Sequence, residues 1–263
     1  MIHETREGED GRVLVVTVDR LAAKNALDAA TIEKLRRLFE GLARGAEGSP
    51  RKRAIRAVVL TGAGGTFVSG GDLRELQAVR DRATTEDFCD RGRAMCDAIE
   101  EAFVPVVCAI EGFALGGGAE LACACDVRVA ASDAKIGFLQ VRMGVTTAWG
   151  TYSRLVAQIG AGTSADVVLG GRLIGAEEAR ALRLVEHVAP KGAARAQAVA
   201  LADDMARGAP LAIGYVKELS RMARRNGDLR ALERERFVES WLSADHAEAV
   251  QAFFDKRPPR FEA

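Results

Sequence analysis

The chain carries no charge imbalance. Over 263 residues, 37 Lys and Arg are matched by 37 Asp and Glu. A general electrostatic footprint for nucleic acid is therefore not expected. Aromatic residues are scarce, at 5%, and are not interleaved with basic ones, so stacking platforms for single-stranded nucleic acid are missing too. The cluster Arg51-Lys52-Arg53 and the pair Arg224-Arg225 are local exceptions, and both read as solvated basic faces. No apolar run approaches the roughly 20 residues that a membrane-spanning helix needs. The five cysteines, Cys89, Cys96, Cys108, Cys123 and Cys125, are odd in number and lack Cys-x-x-Cys spacing. With no signal-peptide pattern, they read as reduced thiols of a cytoplasmic protein, those at 123 and 125 serving as small core hydrophobes. The three histidines, His3, His187 and His246, are scattered, and no metal constellation is visible. No Gly-Lys-Ser/Thr follows a glycine-rich turn, so a P-loop is excluded.

What remains is enough apolar residue, 48%, for a sizeable core, and one stretch rich in chemistry, Gly112 to Leu121. Three glycines, Gly116-Gly117-Gly118, stand directly before Ala119-Glu120-Leu121-Ala122-Cys123-Ala124, which reads as helix. Backbone N–H groups at a helix N-terminus are unpaired and face the positive end of the dipole, a setting suited to an anion, bound or developing. Glu120 follows Gly117 by about one turn, so its carboxylate can reach the same place.

Along the chain, Val13–Val18, Ala57–Thr61, Val106–Ile110 and Val127–Ala130 read as buried strands. Asp28 is a plausible N-cap for a helix carrying Leu35, Leu38 and Leu42. Gly41, Gly45, Gly48 and Pro50 punctuate a turn region. The glycine-rich loop 62–71 ends at Asp72, read as the cap of a helix from Leu73, which leaves Gly70 and Gly71 as a second source of free amides. A helix is expected from Glu86 to Phe103 and another from Gly150 to Ile159, with a turn at Gly160-Ala161-Gly162. From Thr163 onward nearly everything reads as helical, including 193–207, 210–224, 229–243 and 245–256.

Two glycine-rich strand-to-helix turns, Ser69-Gly70-Gly71-Asp72 and Ala114-Leu115-Gly116-Gly117-Gly118-Ala119-Glu120, followed by Cys125-Asp126, resemble those of the crotonase superfamily, the enoyl-CoA hydratase/isomerase family. Arg20–Leu27 resembles that family's N-terminal CoA-binding segment, Asp133–Gly144 its second acid/base loop, and Ala252–Phe261 its C-terminal signature. The resemblance spans nearly the whole chain. It implies an α/β (α+β) fold, a spiral of ββα units with two roughly perpendicular sheets. Residues 1–195 would form the core with the CoA site, and 196–263 a helical oligomerisation region giving a homotrimer or a dimer of trimers. It implies an acyl-CoA thioester substrate with no separate cofactor. It also implies an enolate held by the amides of Gly71 and Gly117, and CoA contacts at Ala23, Lys24, Ser69, Gly70 and Leu73. Phe253 and Lys256 would reach CoA, of this subunit or a neighbour. One such amide donor supplies about 2.7 to 4 kcal/mol in acyl-transfer sites.

The pattern breaks at one position. Glu120 matches the first glutamate of the family's hydratases, whereas the second falls on Gln140, preceded by Leu139 in place of a common proline. A neutral amide orients water or a carboxylate but does not exchange a proton. Three enzyme readings follow. The first is a hydratase running on Glu120 with Gln140 orienting the water. The second is a decarboxylase of malonyl-type thioesters, with Gln140 or Arg142 binding the carboxylate; resemblance of 143–156 to the ethylmalonyl-CoA decarboxylase branch favours it. The third, least favoured, is an isomerase. A non-catalytic binder of CoA or RNA is the alternative from another class. Residues 63–68, 84–95 and 146–149 are expected to shape the acyl pocket, with Trp149 as core or pocket wall and Asp126 structural.

Overall fold

The computed structural model describes residues 1–44, 55–77, 79, 81–225 and 229–261. The Arg51-Lys52-Arg53 cluster and the turn residues Gly45, Gly48 and Pro50 lie outside them. Nine strands are found there: β1 (Ile2–Glu7), β2 (Val13–Val18), β3 (Ala57–Gly62), β4 (Val106–Ile110), β5 (Phe113–Leu115), β6 (Val127–Ala131), β7 (Lys135–Gly137), β8 (Ile174–Gly175) and β9 (His187–Ala189). They form a six-stranded sheet in the order β1-β2-β3-β4-β6-β9 and a three-stranded sheet β5-β7-β8, an α/β architecture with two sheets. From β2 to β9 the large sheet is parallel, with Val15 opposite Val59 and Val59 opposite Val107.

Parallel strands covered on both faces are apolar along their whole length rather than alternating. That is the pattern of β2, β3 and β4, buried throughout but for Thr17 and Gly62. One helix on the large sheet is α8 (Ala194–Met205), which presents Ala194, Ala198 and Ala202 at four-residue spacing. These small side chains let the helix lie close to the strands. Glu111 accepts the N–H groups of Gly192 and Ala194 at 3.1 and 2.7 Å, tying the start of that helix to the end of β4. The expected boundary at 195/196 falls within this helix.

The remaining helices are α1 (Ala29–Glu40), α2 (Leu73–Leu76), α3 (Arg82–Glu101), α4 (Gly117–Ala124), α5 (Thr151–Ile159), α6 (Ala161–Gly170), α7 (Ala176–Ala181), α9 (Pro210–Arg224), α10 (Leu229–Trp241) and α11 (Ala244–Asp255). Asp28 caps α1 by accepting the Thr31 N–H at 2.7 Å, and Asp72 caps α2 through the Arg74 N–H at 3.0 Å. Helix α3 begins at Arg82, a turn before Glu86, because Asp81 accepts the Thr84 N–H at 3.0 Å. Gly160 breaks the chain, but α6 starts at once, so the expected turn at 160–162 is only one residue wide.

Five strands, β1, β5, β7, β8 and β9, are not among the four read from the sequence. Strand β1 is polar and exposed along its middle, yet pairs antiparallel with β2 as the sheet edge. Strands β8 and β9 interrupt a region that reads as nearly all helical. They have two and three residues, too short for any periodicity, and owe their form to ladders with β7 and β6. Arg224 and Arg225 are not a free basic face. Arg224 pairs with Glu100 at 3.1 Å, and Arg225 lies 3.9 Å from Asp97. Lys217 of α9 is buried and fully partnered, donating to the carbonyls of Ile99 and Val104 at 2.9 Å and pairing with Asp126 at 2.9 Å. Asp126 also accepts the Val106 N–H at 2.8 Å, the structural role expected for it.

Candidate active site

Because β3 and β4 are parallel, the loops that follow them leave the same edge of the sheet, where ligands of such sheets bind. The first loop passes through Phe67 and Val68 to Gly70 and Gly71; the second passes through β5 to Gly116. Backbone bonds lace them together: Val68 N–H donates to the Phe113 carbonyl at 3.0 Å and Leu115 N–H to the Val68 carbonyl at 3.0 Å. Gly116 has φ +50°, a left-handed turn that opens α4. A Cβ on Gly118 would collide with the Val68 carbonyl, so only glycine lets the loops approach this closely.

The two turns bring Gly71 and Gly117 side by side. The Gly71 nitrogen stands 3.4 Å from where a Cβ of Gly117 would be. Among the described residues neither N–H donates a hydrogen bond. Helix α4 is buried at every position, so its carboxyl end needs partners as well. Arg128 supplies them, donating to the Ala122 and Cys125 carbonyls at 3.3 and 2.9 Å while pairing with Glu186 at 2.6 Å. Cys123 and Cys125 pack in the core as expected.

Glu120, in the first turn of α4, is 4% exposed. One carboxylate oxygen accepts the N–H groups of Ala148 and Trp149 at 3.0 and 3.4 Å. Burial pushes its carboxyl above the ordinary range. The Thr151 hydroxyl, the Ala148 and Trp149 amides and the Gln140 amide pull the other way, and burial prevails. Thr151 exerts the largest of these opposing pulls, although neither its hydroxyl nor the Gln140 amide closes a hydrogen bond of ordinary geometry. The Thr151 hydroxyl and both polar atoms of the Gln140 side chain are buried without a partner. A buried polar atom left unpaired is costly and rare, and at a site it is a partner held ready for a ligand or water. Gln140 sits in the short 3-10 turn Gln140–Met143. Arg142 of that turn points away, donating to the Gly170 and Gly171 carbonyls at 2.8 and 3.3 Å.

The segment 20–27 joins the same edge. Ser69 N–H donates to the Lys24 carbonyl at 3.3 Å and Ser69 Oγ to the Ala23 carbonyl at 3.4 Å, so Ala23, Lys24, Ser69 and Gly70 are brought together. Two residues that the sequence reading missed hold this segment. Asn25, fully buried, donates to the Ala63 and Thr66 carbonyls at 2.9 Å. Arg20 bridges Asp28 at 3.0 Å and Asp72 at 2.9 Å. The available signal was an asparagine within an apolar run, since Asn tolerates the left-handed φ of 57° found there. Thr151 was missed too, being one more helix-start threonine in sequence. Leu73 is exposed at the start of α2. Phe253 and Lys256 are exposed at the end of α11, and among the described residues neither bonds to the 23–24 segment. A cavity of about 690 Å³ between β1 and α1 is lined by none of the candidate site residues. Among the described residues no group of His, Cys, Asp and Glu could hold a metal, and no helix is long and apolar enough to cross a membrane.

Fold and site together place two N–H groups that donate to no described residue side by side, within one helical turn of a buried carboxyl. The sequence pattern of the family Enoyl-CoA hydratase/isomerase matches residues 8–263, and the chain belongs to that family, within the crotonase superfamily. It is 33% identical to the 2,3-dehydroadipyl-CoA hydratase of Escherichia coli, over 95% of each chain. It is 32% identical to the short-chain-enoyl-CoA hydratase of Clostridium acetobutylicum, over 95% of this chain and 94% of that one. The crystal structure of an enoyl-CoA hydratase from Bacillus anthracis superposes with a TM-score of 0.89 at 30% identity, covering 99% and 98% of the two chains. The activity is hydratase-like and of the lyase class.

Proposed function

We propose that this enzyme adds water across the double bond of a 2-enoyl-CoA, or removes it in reverse, with Glu120 as its single acid/base carboxylate. The observation that carries the reading is Glu120 itself. It is buried, burial raises the pKa of its carboxyl, it is anchored by the Ala148 and Trp149 amides, and it lies beside the unpartnered Gln140 amide. A general base works best with a pKa near the working pH, which burial favours here. Water held by Gln140 and Glu120 attacks C3 while Glu120 takes its proton. The electron pair of the double bond moves onto the thioester oxygen, where the Gly71 and Gly117 N–H groups receive it. Glu120 then returns the proton to C2. Coenzyme A is part of the substrate, and no separate cofactor enters any step.

CoA would lie along Ala23, Lys24, Ser69, Gly70 and Leu73, with Phe253 and Lys256 reaching it from this or a neighbouring subunit. The apolar residues left exposed on and between the last two helices, including Phe237, Trp241, Leu242, Phe253 and Phe254, support 196–263 as the oligomerisation region of a homotrimer or dimer of trimers. Unpaired cysteines support a cytoplasmic setting. Turnover of crotonyl-CoA in deuterium oxide, with deuterium appearing at C2, tests the reaction; no turnover on any enoyl thioester refutes it. Decarboxylation of a malonyl-type thioester is the second reading, favoured by the neutral Gln140. It is weakened at Arg142, which is engaged with the end of α6. Carbon dioxide release without hydration would replace the first reading by the second.

A further inference from the structure

The indole of Trp149, only 2% exposed, stands between the two candidate oxyanion amides and helix α3. Its six-membered ring lies against Gly117, where a Cβ would come within 2.7 Å of Cη2 and 2.8 Å of Cζ3. Its other edge lies so close to Gly92 of α3 that a Cβ there would collide with Nε1 and Cε2. The indole therefore spans the whole gap between the start of α4 and α3, and it fits only because both neighbours are glycine. Phe88 meets it edge-on, with ring centroids 5.8 Å apart. The same Phe88, with Leu76, backs the other amide: a Cβ on Gly71 would lie 3.8 Å from Phe88 Cζ and 3.1 Å from Leu76 Cδ1. One apolar wall thus runs behind both donors.

We infer that Trp149 is a specificity-determining residue that ends the acyl pocket at Gly117 and restricts the enzyme to short acyl-CoA thioesters. This rests on the proposed thioester site, not on which reaction occurs there. The two rings fill the space on the Cβ side of both glycines, so a chain that leaves the two amides on that side runs into them. The indole does not swing aside cheaply. Its backbone N–H anchors Glu120 and its carbonyl accepts from Arg154, which is itself paired with Asp97 at 2.6 Å and Glu100 at 3.2 Å. Close-packed interiors of this kind yield little to an added methylene. One methylene of misfit in an apolar pocket discriminates by about 10- to 200-fold.

The test is calorimetric binding of butanoyl-, hexanoyl- and decanoyl-CoA, saturated thioesters that undergo no hydration, to the full-length enzyme. The wild type is expected to bind butanoyl-CoA at least about tenfold more tightly than decanoyl-CoA. Trp149→Ala should level or invert that ratio. Trp149→Phe, which keeps most of the packing, should give an intermediate ratio even if the alanine variant folds poorly. Two results overturn the inference. One is equal affinity of the wild type for butanoyl- and decanoyl-CoA, the chain then running past Leu76 into the neighbouring cavity of about 160 Å³. The other is a ratio unchanged in the folded phenylalanine variant. Because the ratio is read without chemistry, loss of the hydration reading leaves it intact, and its own failure leaves hydration untouched.

Discussion

Replacing Glu120 by glutamine separates the chemistry of the carboxyl from its cost to the fold. The amide oxygen of Gln keeps the acceptor for the Ala148 and Trp149 N–H groups, so the anchor at 3.0 and 3.4 Å survives. Its NH2 group faces the unpartnered polar atoms of Gln140 and Thr151. What disappears is the ability to take and return a proton. General acid–base catalysis is worth about 10²- to 10⁴-fold, so the barrier should rise by roughly 2.7 to 5.4 kcal/mol and kcat on crotonyl-CoA should fall accordingly. Stability should move the other way. Burial raises the folded-state pKa of Glu120 above its unfolded value. Below the unfolded value the group is neutral in both states and burial costs no charge. As pH rises through the folded value the native state must hold a buried anion, and stability falls to its floor above that value. Glutamine has no such dependence. The melting temperature of Glu120→Gln should therefore exceed the wild-type value most above the folded pKa, the gap narrowing in acid. Enoyl-thioester absorbance and thermal melts across pH give both readouts. Hydration at the wild-type rate would refute the catalytic role. A variant less stable than wild type at every pH would refute the claim that burial outweighs the anchoring amides.

Gln140→Glu should raise hydration of crotonyl-CoA by at least about tenfold, within the range of one acid/base group; no gain would remove Gln140 from the position of a second acid/base residue. Thr151→Val deletes a hydroxyl that favours the Glu120 anion, so the acidic limb of the kcat/KM profile should move to higher pH; an unmoved limb would show that the hydroxyl does not act on Glu120. Lys217→Met leaves Asp126 and the Ile99 and Val104 carbonyls without their buried cation, a loss of about 3 to 5 kcal/mol. A chain of this size should then melt about 6 to 20 °C lower in calorimetry, and a shift under 2 °C would refute the network's importance.

Much of the site was legible from local sequence because its parts are local. Gly116–Glu120 is one turn of chain, and glycine before a helix carries the same consequence wherever it stands. The four buried strands were readable because parallel strands covered on both faces must be apolar throughout. The caps Asp28 and Asp72 lie next to the helices they start. The polar edge strand β1 and the short β8 and β9 were not readable, because their ladders, not their side chains, make them strands. Nor was the pairing of Arg224 and Arg225 with Glu100 and Asp97, which are more than a hundred residues away in sequence.

The sequence alone thus determined the glycine turn, the carboxylate one turn after it, and the place of Gln140 in the loop beyond. Those are matters of residue identity and one turn of helix. Only the tertiary structure decided what surrounds them. It set the Ala148 and Trp149 amides on Glu120, buried that carboxyl enough to raise its pKa, left Gln140 and Thr151 unpartnered beside it, and laid the Trp149 ring across Gly117 and Gly92. Burial and packing depend on which distant segments meet, and those meetings are fixed by the whole sheet rather than by any stretch of chain.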